Sequence, residues 1–228
     1  MDQGNIVLLN GTASAGKTSI SRALQEIMET PYLYTGVDAP IGHLHPKFFA
    51  ISDGIDPATD DYFLLVYEGG SRRIDDTLDG MPVVHGDGVL TEVRIGPGGL
   101  ALKAAQYRAV ATLAASGLDV IVDDLIWDRR VLAAAVAALA ASRVLFVAVR
   151  VPLDVAERRE RERGDRGPGA ARAFYHLVHA HGVYDLELDT STASPLECAQ
   201  RIKHALETDQ PREAFRRLAA MLTDPLGP

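Results

Sequence analysis

The stretch Gly11-Thr12-Ala13-Ser14-Ala15-Gly16-Lys17-Thr18 limits the possible folds of this chain more than any other. It has the form G-x-x-x-x-G-K-[ST], a phosphate-binding loop that needs a strand before it and a helix after it. Both are legible. Ile6-Val7-Leu8-Leu9 is a short apolar run of buried-strand type, and Ser19 to Glu29 reads as a helix. Gly11 and Gly16 let the backbone curl so that its N–H groups converge on phosphate oxygens. The helix N-terminus adds partial positive charge. Gly11, Thr12, Ala13, Ser14, Ala15, Gly16, Lys17 and Thr18 are therefore the candidate nucleotide contacts, with Lys17 reaching the β- and γ-phosphates and the Thr18 hydroxyl available to Mg²⁺.

The rest of the chain alternates in the same way. Tyr32 to Asp38 reads as a second strand, ending in a carboxylate. Leu100 to Ser116 reads as a helix stopped by Gly117. Asp119 to Asp124 is a strand running into two acids, Asp128 to Ser142 a helix, and Val144 to Val149 a strand. Leu153 to Arg163 and Ala170 to His181 read as helices. Tyr184 to Asp189 reads as the last core strand, and Pro195 to Glu207 as its helix, with Ser194 as N-cap. Arg212 to Leu222 is a short amphipathic helix. Such alternation implies right-handed crossovers, and hence an α/β fold with a five-stranded parallel sheet in three layers, the loop-bearing strand central. Ligands then bind at the carboxyl ends of the strands.

Between about 39 and 99 the alternation fails, and five of the twelve prolines fall there. Tyr62 to Tyr67 suggests a strand. Met81 to Val84 and Val89 to Ile95, around Gly86-Asp87-Gly88, read as a hairpin. A stretch this long is not plain loop, and it reads as an inserted substrate-binding lobe. With a lid at about 158–169, residues 1–228 read as a single P-loop kinase domain.

Composition narrows the partners. A net charge of −8 argues against nucleic acid or an anionic membrane. Cys198 is the sole cysteine, so neither an intramolecular disulfide nor a cysteine-type zinc site is expected. No signal peptide is legible, and no apolar run reaches the roughly 18 residues of a membrane span. A cytoplasmic soluble protein is the expectation. Lysine is scarce (Lys17, Lys47, Lys103, Lys203), which sets Lys17 apart.

Phosphoryl transfer needs a phosphate cradle, a metal carboxylate, cations over the transferring group and a base for the acceptor hydroxyl. Asp38 ends the second strand, where it can accept the acceptor proton. Asp123 and Asp124 end an apolar strand of Walker B type, and either can serve Mg²⁺. The run Arg158 to Arg166 alternates in charge and enters a Gly-flanked loop, which reads as a hinged lid with Arg163 and Arg166 as the phosphate contacts. Thr190, in the turn after the last strand, stands where such folds receive adenine. His176, His179 and His181 do not share one helix face and read as ordinary histidines. Phe48, Phe49, Tyr62, Phe63 and Tyr67 either line a pocket or fill the core of the inserted lobe.

Leu9-Asn10-Gly11 with Ser14 to Thr18, Gly36-Val37-Asp38, Ile121 to Asp124, Arg163 to Gly167, Val178-His179, Tyr184 to Thr190 and Glu197-Cys198-Ala199 stand in one order. On these runs the sequence resembles the chloramphenicol phosphotransferase-like proteins, P-loop kinases that phosphorylate an antibiotic hydroxyl. The resemblance implies an ATP- and Mg²⁺-dependent O-phosphotransferase that confers resistance, with Asp38 as general base and Lys17 and the lid arginines on the phosphates. The 39–99 stretch is longer than the family's substrate region, and the C-terminal helix is additional. The implied acceptor is therefore a small-molecule antibiotic, chloramphenicol or another such as a nucleoside antibiotic. Two alternatives stand beside it: a small-metabolite kinase of nucleoside-monophosphate or shikimate type, and a nucleotide-binding regulatory protein without transfer activity.

Overall fold

The computed structural model describes residues 2–36, 44, 48–52, 62–69, 72–78, 81–86, 88–164, 168–208 and 211–223. In order these form β1 (Asn5–Asn10), α1 (Lys17–Ile27), β2 (Tyr32–Gly36), β3 (Phe49–Ser52), β4 (Phe63–Glu68), β5 (Arg72–Leu78), β6 (Met81–Gly86) and β7 (Val89–Ile95). Then come α2 (Pro97–Ala115), β8 (Asp119–Asp124), α3 (Arg129–Leu139), β9 (Arg143–Arg150), α4 (Leu153–Arg163), α5 (Ala170–Tyr175), β10 (Leu186–Asp189), α6 (Pro195–Glu207) and α7 (Ala214–Thr223). Asp38, Arg166, His43 and His45 lie outside the described residues.

The main sheet has five parallel strands in the order β10-β9-β1-β8-β2, with the loop-bearing β1 in the middle. Successive side chains of a strand point to opposite faces, and here both faces are covered. Val7, Leu9, Ile121, Leu145 and Val147 pack with Ile20 and Leu24 of α1 and Ile202 of α6. Ile6, Leu8, Val120, Val122 and Phe146 pack with Tyr107 of α2, Leu132 of α3 and Phe215 of α7. That double burial is why these strands read as unbroken apolar runs. The helix ends follow local chemistry. Asp128 caps α3 by accepting from Arg130 N at 2.7 Å. Ser194 and Glu197 form a reciprocal capping box ahead of α6, with Pro195 in its first turn. Helix α7 lays Phe215 edge-on against Phe146, ring centroids 5.4 Å apart.

The inserted lobe holds two small sheets, β3-β4-β7 and β5-β6. The expected hairpin between Met81–Val84 and Val89–Ile95 does not form. β6 pairs instead with β5, Leu78 opposite Met81, and β7 pairs antiparallel with β4. Asp79-Gly80, between β5 and β6 in the sequence, is the strongest short hairpin signal in the stretch. The helix expected over 170–181 also stops early, at Tyr175. Beyond it the chain runs in tighter turns, Leu177 N to Phe174 O and Ala180 N to Leu177 O. Val178 O is turned to accept from Asn10 Nδ2 (2.7 Å) and the Tyr184 hydroxyl (3.0 Å). Among the described residues no helix is long and apolar enough to cross a membrane.

Candidate active site

Asn10, fully buried at the end of β1, anchors the loop. Its Nδ2 donates to Val178 O and to the Tyr184 hydroxyl (2.9 Å), and its Oδ1 accepts from Ile126 N (2.8 Å). Gly16, the residue before α1, has φ 96°, a conformation that favours glycine. Thr12 Oγ1 donates to Ala171 O at 2.7 Å, fastening the loop to α5. Thr190 Oγ1 donates to Ala15 O at 2.8 Å, fastening it to the turn after β10. The cradle is thus held from two sides. Lys17 Nζ folds back onto Gly11 O and Thr12 O, 3.0 Å each, and stands 3.7 Å from Asp123 Oδ1.

The two acids at the end of β8 part company, because adjacent strand residues face opposite layers. Asp123 shares the face of Ile121 and meets the P-loop. Its Oδ2 accepts from Thr18 Oγ1 at 2.7 Å and from the Tyr34 hydroxyl at 3.1 Å. Asp124 points into the other layer, fully buried. Its carboxylate accepts from Lys103 Nζ (3.0 and 3.1 Å), the Tyr107 hydroxyl (2.6 Å) and Leu125 N (2.6 Å). Burial first, then the Asp124 charge, pushes the Tyr107 phenol well above its ordinary range, so it stays a donor. The Thr18 hydroxyl and Asp123 carboxylate form a pair of hard oxygens of the kind that could hold Mg²⁺. Asp124 has its oxygens engaged elsewhere.

A cavity of about 450 Å³ runs from the loop into the inserted lobe. One end is polar: the loop from Ala13 to Thr18, Asp123, Thr190, and Arg159 and Arg163 of α4. The other end is apolar, with Phe49, Phe63, Leu65, Trp127 and Phe174 prominent. Trp127 packs edge-on to Phe174 at 5.3 Å and donates its Nε1–H to Val93 O at 2.9 Å. Phe49 and Phe63 stack at 5.7 Å. Phe49, Phe63 and Tyr67 thus do both things considered for them: they line the cavity and are buried. Phe48 and Tyr62 pair with each other, rings 4.9 Å apart.

Of the candidate residues, the structure brings together Gly11 to Thr18, Asp123, Arg163 and Thr190. Sequence reasoning missed Arg159, whose guanidinium donates to Thr190 Oγ1 (3.0 Å) and Thr190 O (2.7 Å). The signal was present, since 159 and 163 are four apart and share a helix face. It also missed Lys103, legible only as a lone lysine in an alanine-rich helix. His176, His179 and His181 do not line this cavity. His179 Nδ1 lies 2.7 Å from the Tyr184 hydroxyl, and His181 stacks on Phe146 at 5.4 Å.

The family model described as "Chloramphenicol phosphotransferase-like protein" matches residues 4–207. The chain belongs to that family. A Mycobacterium tuberculosis relative named "Putative O-phosphotransferase Rv2636" is 32% identical over 228 residues, covering 96% of this chain and 89% of the relative. Among solved structures, the APS kinase of Mycobacterium tuberculosis in complex with AMPPNP and APS superposes with a TM-score of 0.58. Its identity is 15%, over 91% of this chain and 99% of that one. Shikimate kinase of Acinetobacter baumannii in complex with shikimate gives a TM-score of 0.53 at 14% identity, over 92% and 96%. These likenesses concern the fold, which is that of the P-loop kinases. The family model spans the parallel core and the segment that holds β3 to β7, and it ends before α7.

Proposed function

We propose that the protein is an ATP- and Mg²⁺-dependent O-phosphotransferase acting on a hydroxyl of a small antibiotic with an apolar body, and that it confers resistance in the cytoplasm. The observation that carries the reading is the two-ended cavity, with phosphate cradle and Thr18–Asp123 pair at one end and the aromatic wall at the other. Family membership and the relative's printed name support the reaction type. The wall favours this acceptor over a nucleoside monophosphate or shikimate. Those acceptors carry a phosphate or carboxylate that calls for arginine or lysine, and the described residues of that wall are apolar. Chain 1–228 is read as a single kinase domain with its substrate lobe at about 39–99 and a lid at about 158–169.

In this reading Gly11 to Thr18 bind and orient the triphosphate, and Thr190 with Arg159 borders the adenine side. Lys17, Arg163 and Arg166 neutralise charge on the transferring phosphoryl group. Thr18 and Asp123 hold Mg²⁺, which supplies further charge neutralisation when bound. Asp38, two positions beyond the end of β2, takes the proton of the acceptor hydroxyl. The apolar wall excludes water that would otherwise hydrolyse ATP.

The test is expression in a sensitive host challenged with several antibiotic classes, followed by transfer of radiolabelled phosphate from ATP to any compound tolerated. Asp38→Asn should abolish transfer while ATP still binds. Full transfer by that variant would remove Asp38 from its role. Binding of ATP without turnover on any acceptor would favour the regulatory alternative.

A further inference from the structure

We infer that Lys103 and Gln106 are positioning residues for the metal-side carboxylate, acting through the ends of β8 and β2. This rests on the nucleotide-dependent reading above. A buried ion pair is a poor device for stability alone, since apolar replacements of similar volume are often neutral or better. Lys103 sits in an alanine-rich helix where an apolar residue would pack without cost, yet both it and Asp124 are fully buried.

The bonds form one connected path. Lys103 Nζ donates to both Asp124 oxygens and to Gln106 Oε1 at 3.1 Å. Gln106 Nε2 donates to Gly36 O at 2.8 Å. Gly36 is the register partner of Asp123 in the β2–β8 ladder. The path therefore grips both strands at the level of Asp123, one residue from the Thr18–Asp123 contact. With the Asp124 side chain pinned into the α2 layer, strand alternation aims Asp123 into the other layer, at Thr18. Gly36 O, at the last described position of β2, is held in the same way, so the path also sets where the chain leaves toward Asp38.

The test separates position from stability. Lys103→Met/Asp124→Asn removes both charges but keeps a carbonyl oxygen for Leu125 N, while the new amide NH₂ can donate to the Tyr107 hydroxyl oxygen. Gln106→Leu breaks the Gly36 arm from a half-buried position and leaves the ion pair in place. Mn²⁺ binding in the presence of ADP is titrated by EPR, metal-free ADP affinity by calorimetry, and folding by thermal denaturation. Both variants should bind Mn²⁺ about tenfold more weakly, the scale of lost outer-shell support. Metal-free ADP affinity should stay at the wild-type value, and Gln106→Leu should melt within a few degrees of wild type. Wild-type Mn²⁺ affinity in Gln106→Leu, or in a folded double variant, would overturn the inference and leave a purely structural pair. Absence of Mn²⁺·ADP binding by the wild type would instead overturn the functional reading, and this inference with it.

Discussion

Glu160 offers a quantitative check on how α4 and α5 are tied together. It is a carboxylate on α4 with only 3 % exposure. Its two oxygens accept from Gly169 N (3.0 Å) and Ala171 N (2.9 Å), so one side chain joins α4 to the start of α5. The residues just before α5 are fixed again from β7, where Leu90 N donates to Pro168 O at 3.0 Å. Gly169, at φ 114°, lies so close that a Cβ there would stand 2.3 Å from Leu90 O. Glu160→Ala strips two buried N–H groups of their acceptors, at about 1–3 kcal/mol each, or about 4 kcal/mol together. For a chain of this size that lowers Tm by about 8–16 °C. Glu160→Gln keeps one carbonyl acceptor and turns an NH₂ toward the other donor, so it should lose about half as much. Urea denaturation of the three proteins, with m-values compared, measures this directly. A Glu160→Ala variant within about 0.5 kcal/mol of wild type, the range of an ordinary surface substitution, would refute the assignment of those two bonds as the tie between α4 and α5.

Stability should also depend on pH through two histidines. Burial, then the nearby Arg150 guanidinium, lowers His179 and His181 to about 4, below their usual 6.5. The unfolded chain therefore binds more protons between those values, and stability, complete above pH 6.5, is lost as pH falls toward 4. His181→Phe keeps the stack on Phe146 and should flatten part of that slope in Tm measured against pH. At the metal side, Asp123→Asn or Thr18→Val should raise the Mg²⁺ concentration needed for half-maximal turnover by at least the ~10–100-fold that loss of an outer-shell partner costs, and unchanged Mg²⁺ dependence would count against the Thr18–Asp123 pair. In the acceptor wall, Phe174→Ala should raise KM for the acceptor with KM for ATP unchanged, as read from initial rates with each substrate varied. Equal changes in both would count against Phe174 as an acceptor contact.

What could be read from the chain follows from how far apart the interacting residues lie. β1, β8 and β9 were legible because both faces are buried, and Pro195 to Glu207 because its cap lies within four residues of sequence. Strand pairing in the inserted lobe was not, since β4 finds β7 across twenty intervening residues that hold β5 and β6. The metal-side acid illustrates the boundary between the two. The period of two says that Asp123 and Asp124 diverge, yet which of them meets the P-loop becomes visible only with the partner of the other, Lys103, some twenty residues earlier on another element. The acceptor wall lies furthest from local pattern. Phe49, Phe63, Leu65, Trp127 and Phe174 arrive from four separate segments, and cavity lining and core use the same residue types. What separates the two uses is the shared position of those segments beside Thr18 and Asp123. The hydrophobic effect that closes the lobe onto α5 is therefore the same force available to an apolar acceptor, and pocket and core compete for one set of side chains. On this reasoning, substitutions that tighten the lobe's own packing should raise its stability and lower its affinity for the acceptor together.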